Sequence, residues 1–327
     1  VYLDGSRLIM EFTRSTRSGS QWVGVYLRGT AMGVAEIIPG VSGGTIAFIT
    51  GIYPELLGSI ASFGPDSLRR LWRDGWRQFA AHHNLAFLLV LGLGMVTSFL
   101  LLAGLVTGLL HSHPDLVWAF FFGLIAASVI DLARDNTPAF LLTTGVAGLA
   151  CGLLVALAAA DPISADTAGF LIGGMLAVCA WLLPGISGGY VLLLLGLYPL
   201  VVAAIASMDL SVLLPLAAGC ILGLALFARA LAWLMRRFYY PAMALFTGFM
   251  AGSLPSLWPW HVRASAFDSK RLFELPVSPW TYAEVTGTEP AIAVAAIVAA
   301  CGMAIVLLLA RLRPDRRRPA VSKDARG

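Results

Sequence analysis

The sequence predicts an all-α polytopic membrane protein, an inverted-topology repeat with six transmembrane helices and two re-entrant helical hairpins. Three observations predict it: 58% hydrophobic residues against 12% charged, a helix-breaking motif that occurs twice, and a lopsided placement of lysine and arginine. The mean hydropathy of +0.83 is that of a chain dissolved in lipid rather than of a soluble domain with one large core.

The elements follow in order. Residues 1–21 are a polar segment without the apolar core of a cleavable signal. Apolar stretches at 22–38 and 43–61 then flank "IIPGVSGGTI", which sets a proline, three glycines and a serine where a bilayer demands helix. This is the first re-entrant hairpin, 22–61. In the linker 62–85, "DSLRRLWRDGWRQF" spaces Leu68, Leu71, Trp72, Trp76 and Phe79 at helical intervals with arginines opposite, the pattern of an amphipathic helix lying in a membrane interface. A helical crossing takes about 20 apolar residues. Three stretches of that kind, near 86–110, 115–133 and 138–160, complete a first repeat at 22–160. The second repeat, 161–310, has its own hairpin at 167–206 around "LLPGISGGYV", then spans near 212–235, 241–258 and 290–310 with an outer loop at 259–289. A basic tail, 311–327, ends the chain.

The duplication is explicit. At an offset of 145 residues Pro39, Gly40, Ser42, Gly43 and Gly44 meet Pro184, Gly185, Ser187, Gly188 and Gly189, and Gly51, Tyr53 and Pro54 meet Gly196, Tyr198 and Pro199. "FFGLIAAS" at 121–128 meets "FTGFMAGS" at 246–253 at offset 125. Each half makes an odd number of crossings, so the halves are expected to be oppositely oriented. With both termini in the cytoplasm, seventeen of the 22 Lys and Arg fall on that side, and only Arg263, Lys270 and Arg271 face outward. That is the positive-inside bias of an oriented membrane protein. It assigns the basic surplus to topology and to anionic phospholipid at the cytoplasmic face, not to nucleic acid.

Irregular backbone at membrane depth is tolerated where protein buries it or where it lines a wet cavity, and inverted-repeat transporters place their sites between such half-helices. Proline ends one half-helix, and Ser42 or Ser187 is placed to cap the next. The glycines then leave the first N–H groups of that helix uncovered, a setting for an anion and for phosphate above all. Close helix packing explains the glycines equally well but not the proline. The first half also carries ionisable residues that the second lacks: Arg28, Glu36 and Glu55 align with Gly173, Trp181 and Leu200. Ionisable groups within apolar segments are site residues by default. Arg28 is expected to complete the charge on a bound phosphate, or else to snorkel to the cytoplasmic face. Glu36 is expected to take up a proton when phosphate binds beside it, or else to pair with another donor. Glu55 is expected to cap backbone freed by Pro54, and Arg229 to snorkel.

Other chemistries have weaker support. "GVSGG" and "GISGG" match the G-x-S-x-G nucleophile elbow, but no strand precedes them and no histidine lies nearby in the sequence. Cys151, Cys179, Cys220 and Cys301 show no paired spacing and read as buried packing residues. No metal site, no cofactor and no nucleotide-binding loop are expected.

"RGTAMGVAEIIPGVSGGTIAFITGIYPELL" followed by "LLPGISGGYVLLLLGLYP" resembles the bacterial polyprenyl-phosphate transporter family, over residues 22–310. The resemblance implies a flippase that returns undecaprenyl phosphate from the outer to the cytoplasmic leaflet of the bacterial cytoplasmic membrane, for cell-wall synthesis. It matches a basic residue before glycine, Arg28, and an acid before the first motif, Glu36. The second family motif often reads Gly-Ser where this chain has Gly188 and Gly189. The expected phosphate contacts are Gly40, Ser42, Gly43, Gly44 and Thr45, with Gly185, Ser187, Gly188, Gly189 and Tyr190 and with Arg28; Glu36 is the proton-coupling residue. A homo-oligomer is left open. Two other classes stay in view: a transporter or channel for small anions, and an intramembrane lipid phosphatase with Ser42 as nucleophile.

Overall fold

The computed structural model describes residues 17–38, 41–156, 162–263 and 274–311. Helix α1, Gly19–Ile37, opens where the Gln21 side chain accepts the Ser18 N–H at 2.9 Å. It ends because Ile38 precedes a proline and is extended, with φ −98° and ψ 116°. Two short helices follow, α2 at Gly43–Ile49 and α3 at Tyr53–Ala61, joined through Gly51 at φ +77°. The second motif repeats this construction. Helix α8, Thr167–Leu182, stops before Pro184, and α9, Gly188–Leu194, and α10, Tyr198–Ser207, are joined through Gly196 at φ +72° and bent by 112°. Each expected hairpin is therefore three helices, and the eight matched positions set the same breaks twice.

Between and after these lie α4, Ser67–His82; α5, Leu85–Ser112; α6, Pro114–Arg134; α7, Pro138–Ala156, with a π-helical stretch at Leu141–Gly145; α11, Leu210–Arg237; and α12, Tyr239–Ser253. Among the described residues, α5, α6, α7 and α11 are long and apolar enough to cross a bilayer, and the α9–α10 pair raises the number to five if it counts as one bent span. The chain is an all-α multi-pass membrane protein. Of the two remaining expected spans, 241–258 is the shorter α12 followed by a 3₁₀ turn, Leu254–Leu257, and 290–310 is α14, Ile292–Arg311.

The helices pair in a pattern that survives exchange of the two halves: α1 packs on α5 as α8 packs on α11, and α6 packs on α14 as α12 packs on α7. The contacts repeat at residue level. A Cβ at Gly29 would overlap the Leu91 carbonyl, and a Cβ at Gly174, 145 residues on, would overlap the carbonyl of Leu216, which stands 125 residues after Leu91. The small-residue packing that the sequence offered as an alternative account of the glycines is therefore present at the helix crossings.

Three expectations change. The linker helix α4 is broken at Gly75, where φ is +79°, so it is two pieces rather than one. Trp72 and Trp76 nevertheless stand out from the protein at 84% and 62% exposure, as side chains seated in lipid do. Its end is held by His83, whose Nδ1 lies 2.7 Å from Ser62 Oγ and whose ring stacks on Phe63. The loop expected to face outward, 259–289, contains a two-stranded antiparallel pair, His261–Arg263 (β1) with Glu274–Pro276 (β2), and α13, Pro279–Thr286. The four cysteines are not core residues: Cys151 and Cys301 are exposed and Cys179 and Cys220 half-buried, because on a membrane protein apolar faces turn outward to lipid.

Candidate functional site

The two broken motifs meet. Ser42 Oγ donates to the Trp181 carbonyl at 3.1 Å, Tyr53 OH donates to the Leu182 carbonyl at 2.6 Å, and the Gly185 N–H donates to Thr45 Oγ1 at 2.7 Å. These bonds take up carbonyls at the end of α8 and the backbone just past it, groups that the break leaves without helical partners. Ser42, Thr45, Tyr53, Ser187, Gly43, Gly44, Gly185 and Gly188 are all buried there. Gly189 and Tyr190 are half-buried, and Gly40 lies outside the described residues.

The first helix start is already occupied by a carboxyl group of the chain itself. Glu36 Oε1 accepts the Gly43 N–H at 2.6 Å, and the Trp181 side chain lies close to the Glu36 carboxyl group. Ser42 Oγ accepts the Gly44 N–H at 3.0 Å, as its capping position predicted. So the donors that the sequence reading left open at Gly43 and Gly44 are held by the chain's own carboxylate and hydroxyl. Glu36 and Trp181, which occupy equivalent positions of the two repeats, lie close to one another. The arrangement holds a carboxyl oxygen on a backbone N–H with an indole close by, and N–H donors of this kind serve a phosphate oxygen equally well.

The second helix start differs. No side chain caps it, although Ser187 is placed as Ser42 is. Ser187 and Tyr190 instead line a cavity of about 10 Å³ with Gly185, Ile186, Ser253 and Ser256, room for about one water molecule. A larger cavity, about 490 Å³, opens beside Phe122, Leu254, Pro255, Trp258 and Val277 and is mainly apolar.

The structure does not bring Arg28 to the motif. Its side chain runs back along α1, with Nη1 3.0 Å from where a Cβ on Gly24 would stand. Glu55 does not serve as a backbone cap: it pairs with Arg17. Arg229 Nη2 donates to the Phe63 carbonyl at 2.5 Å, an exposed contact that ties α11 to the segment just after α3. Sequence reasoning passed over Trp181, Tyr53 and Arg17. The signal for Trp181 was its alignment with Glu36, and for Tyr53 its place in the repeated Gly-x-Tyr-Pro. Among the described residues no cluster of histidine, cysteine and carboxylates could hold a metal ion.

Two glycines separate packing from binding. A Cβ at Gly44 would overlap the Trp181 carbonyl, whereas at Gly189 it would find Ser187 Oγ at 3.6 Å and Tyr198 Cε2 at 3.7 Å, ordinary contact distances. Gly44→Ala is expected to destabilise the protein by about 1–3 kcal/mol, the usual cost of overpacking, and Gly189→Ala to leave stability unchanged. Thermal unfolding in detergent measures both.

A family model described as undecaprenyl phosphate translocase-like matches residues 32–273. A polyprenyl-phosphate transporter of Vibrio cholerae is 37% identical over 294 residues, spanning 88% of this chain and 95% of the relative. A polyprenyl-phosphate transporter of Staphylococcus aureus is 30% identical over 259 residues, spanning 73% of this chain and 87% of the relative. No solved structure matches the chain.

Proposed function

The chain belongs to the undecaprenyl phosphate translocase-like family, and from that premise we propose that it carries undecaprenyl phosphate from the outer to the cytoplasmic leaflet of the bacterial cytoplasmic membrane for cell-envelope synthesis. The relatives' names support transport of a polyprenyl phosphate rather than an enzymatic reaction. The observation that carries the reading to particular residues is Glu36 seated on the Gly43 N–H between two interlocked motifs. The phosphate takes the place of that carboxylate, with Ser42, Gly43, Gly44 and Thr45 on one side and Gly185, Ser187, Gly188, Gly189 and Tyr190 on the other. Gly40, next to the break, belongs to the same backbone. Displaced, Glu36 faces a second anion and takes a proton from water; when the lipid leaves, the proton returns to water and the carboxylate to Gly43. The polyprenyl tail stays in lipid throughout, because only the headgroup needs shielding.

The architecture proposed for this cycle is six spans and two re-entrant hairpins related by an axis in the membrane plane, with both termini cytoplasmic. The exchange symmetry of the helix pairs and of the Gly29–Leu91 and Gly174–Leu216 contacts supports it. It expects single cysteines in the linker at 62–85 and in the loop at 259–289 to react with a membrane-impermeant thiol reagent from opposite faces. Labelling of both from one face contradicts it.

A lipid phosphatase with Ser42 as nucleophile is disfavoured by a specific observation: Ser42 is fully buried, its hydroxyl donating to Trp181 O and accepting from Gly44 N. Incubation of the purified protein with polyprenyl phosphate is expected to release no inorganic phosphate; release that Ser42→Ala abolishes would restore the hydrolase reading.

A further inference from the structure

A second charged cluster lies away from the motifs, at the start of α1. Arg17 Nη2 donates to both oxygens of Glu55, at 2.6 and 2.5 Å, and the side chains are 17% and 6% exposed. The guanidinium stands 5.2 Å from the ring centroids of Trp22 and of Phe87, which hold it in place. Glu55 has a further donor of its own: Asn84 Nδ2 bonds to Oε1 at 2.8 Å and also to Ser59 Oγ at 3.2 Å. Arg28 runs back along α1 toward this end, its Nη1 3.0 Å from where a Cβ on Gly24 would stand and near enough to Arg17 and Glu55 to interact with their charges, and among the described residues no hydrogen bond or ion pair holds it. Two guanidinium groups to one carboxylate leave one positive charge in excess at a half-buried place, where an uncompensated charge is costly. A guanidinium that grips a carboxylate through two oxygens grips a phosphate in the same way.

We propose that Arg17, Arg28, Glu55 and Asn84 form a second anion station that takes a phosphate monoester by exchange: the phosphate replaces Glu55 as the partner of Arg17, gains Arg28, and leaves Glu55 on Asn84. For its occupant the proposal rests on the lipid-phosphate reading, under which the station holds the headgroup as it leaves toward the cytoplasmic leaflet. Glu55 is then a built-in competitor. This reverses the sign that a merely structural ion pair would give, since removing the acid frees the arginine for the ligand.

The test uses the purified full chain in phosphatidylcholine nanodiscs, with binding of polyprenyl phosphate and, separately, of inorganic phosphate measured for wild type, Glu55→Gln, Arg17→Gln and Arg28→Gln. Glu55→Gln is expected to tighten polyprenyl phosphate binding about tenfold, and each arginine variant to weaken it about tenfold, the scale of one charge-assisted contact. Parallel weakening by Glu55→Gln and Arg17→Gln, with no effect of Arg28→Gln, overturns the proposal. Arg28→Gln decides the matter even if Arg17→Gln fails to fold, because it breaks no ion pair. Replacing the bulk lipid with phosphatidylglycerol is expected to change little; abolished binding means that a phosphodiester serves as well, and overturns the monoester assignment. If inorganic phosphate follows the same signs while polyprenyl phosphate does not bind, the station stands and the lipid reading falls. Binding of neither overturns both.

Discussion

Gly43→Leu is expected to reduce transport of polyprenyl phosphate by reconstituted protein to background, while the protein still inserts and purifies. A Cβ at Gly43 already lies 3.0 Å from Glu36 Oε1 and 3.2 Å from the Met32 carbonyl. A leucine there covers the N–H and expels whatever oxygen it holds, carboxylate or phosphate alike. Gly189→Ser provides the contrast, since position 189 has room for a side chain; transport by that variant stays within about twofold of wild type, a change of less than about half a kcal/mol in the barrier. Transport in vesicles made with each variant, normalised to inserted protein, is the measurement. Wild-type transport by Gly43→Leu removes the first motif from the phosphate's path.

Glu36→Gln has the second large effect. The amide oxygen still accepts the Gly43 N–H, so the fold is kept, but the side chain can neither ionise nor carry a proton. Under the exchange cycle the wild-type rate depends on pH because the displaced carboxylate must be protonated beside the phosphate. The variant is expected to bind the lipid and to show a flat pH profile. Rates in liposomes across pH 5.5 to 8.5 check this. If Glu36→Gln retains the wild-type profile, Glu36 is only the partner of Gly43 and Trp181, and the coupling role is wrong.

The sequence made the breaks legible and the partners less so. Proline after Ile38 and Leu183, and glycine at 51 and 196, dictate local backbone geometry whatever the surroundings, so both motifs break where the pattern said. The capping role of Ser42 was equally local. The identity of the groups that fill the helix start was not local: Trp181 lies 145 residues from Glu36 and reaches it only because the halves pack together. The same holds for Arg17, whose position just before α1 gave no sign of its pairing with Glu55 across 38 residues. Arg28 was expected at the motif because it is ionisable within an apolar segment and matches the family's basic residue before glycine. Its long side chain turns back the other way, toward the charges at the start of α1. Cysteine burial was misread because apolar surroundings in a membrane protein include lipid.

The most direct measurement is movement of the lipid itself. Purified protein is reconstituted into sealed liposomes carrying polyprenyl phosphate, and the share of headgroups reached by a soluble phosphatase added outside is followed over time, without nucleotide. With wild-type protein the accessible share is predicted to rise from the outer-leaflet fraction to nearly all of the lipid, faster than in protein-free liposomes, while inorganic phosphate trapped inside stays trapped. An accessible share that stops at the outer leaflet, or escape of the trapped phosphate with the lipid immobile, contradicts a lipid-phosphate transporter built on these two motifs.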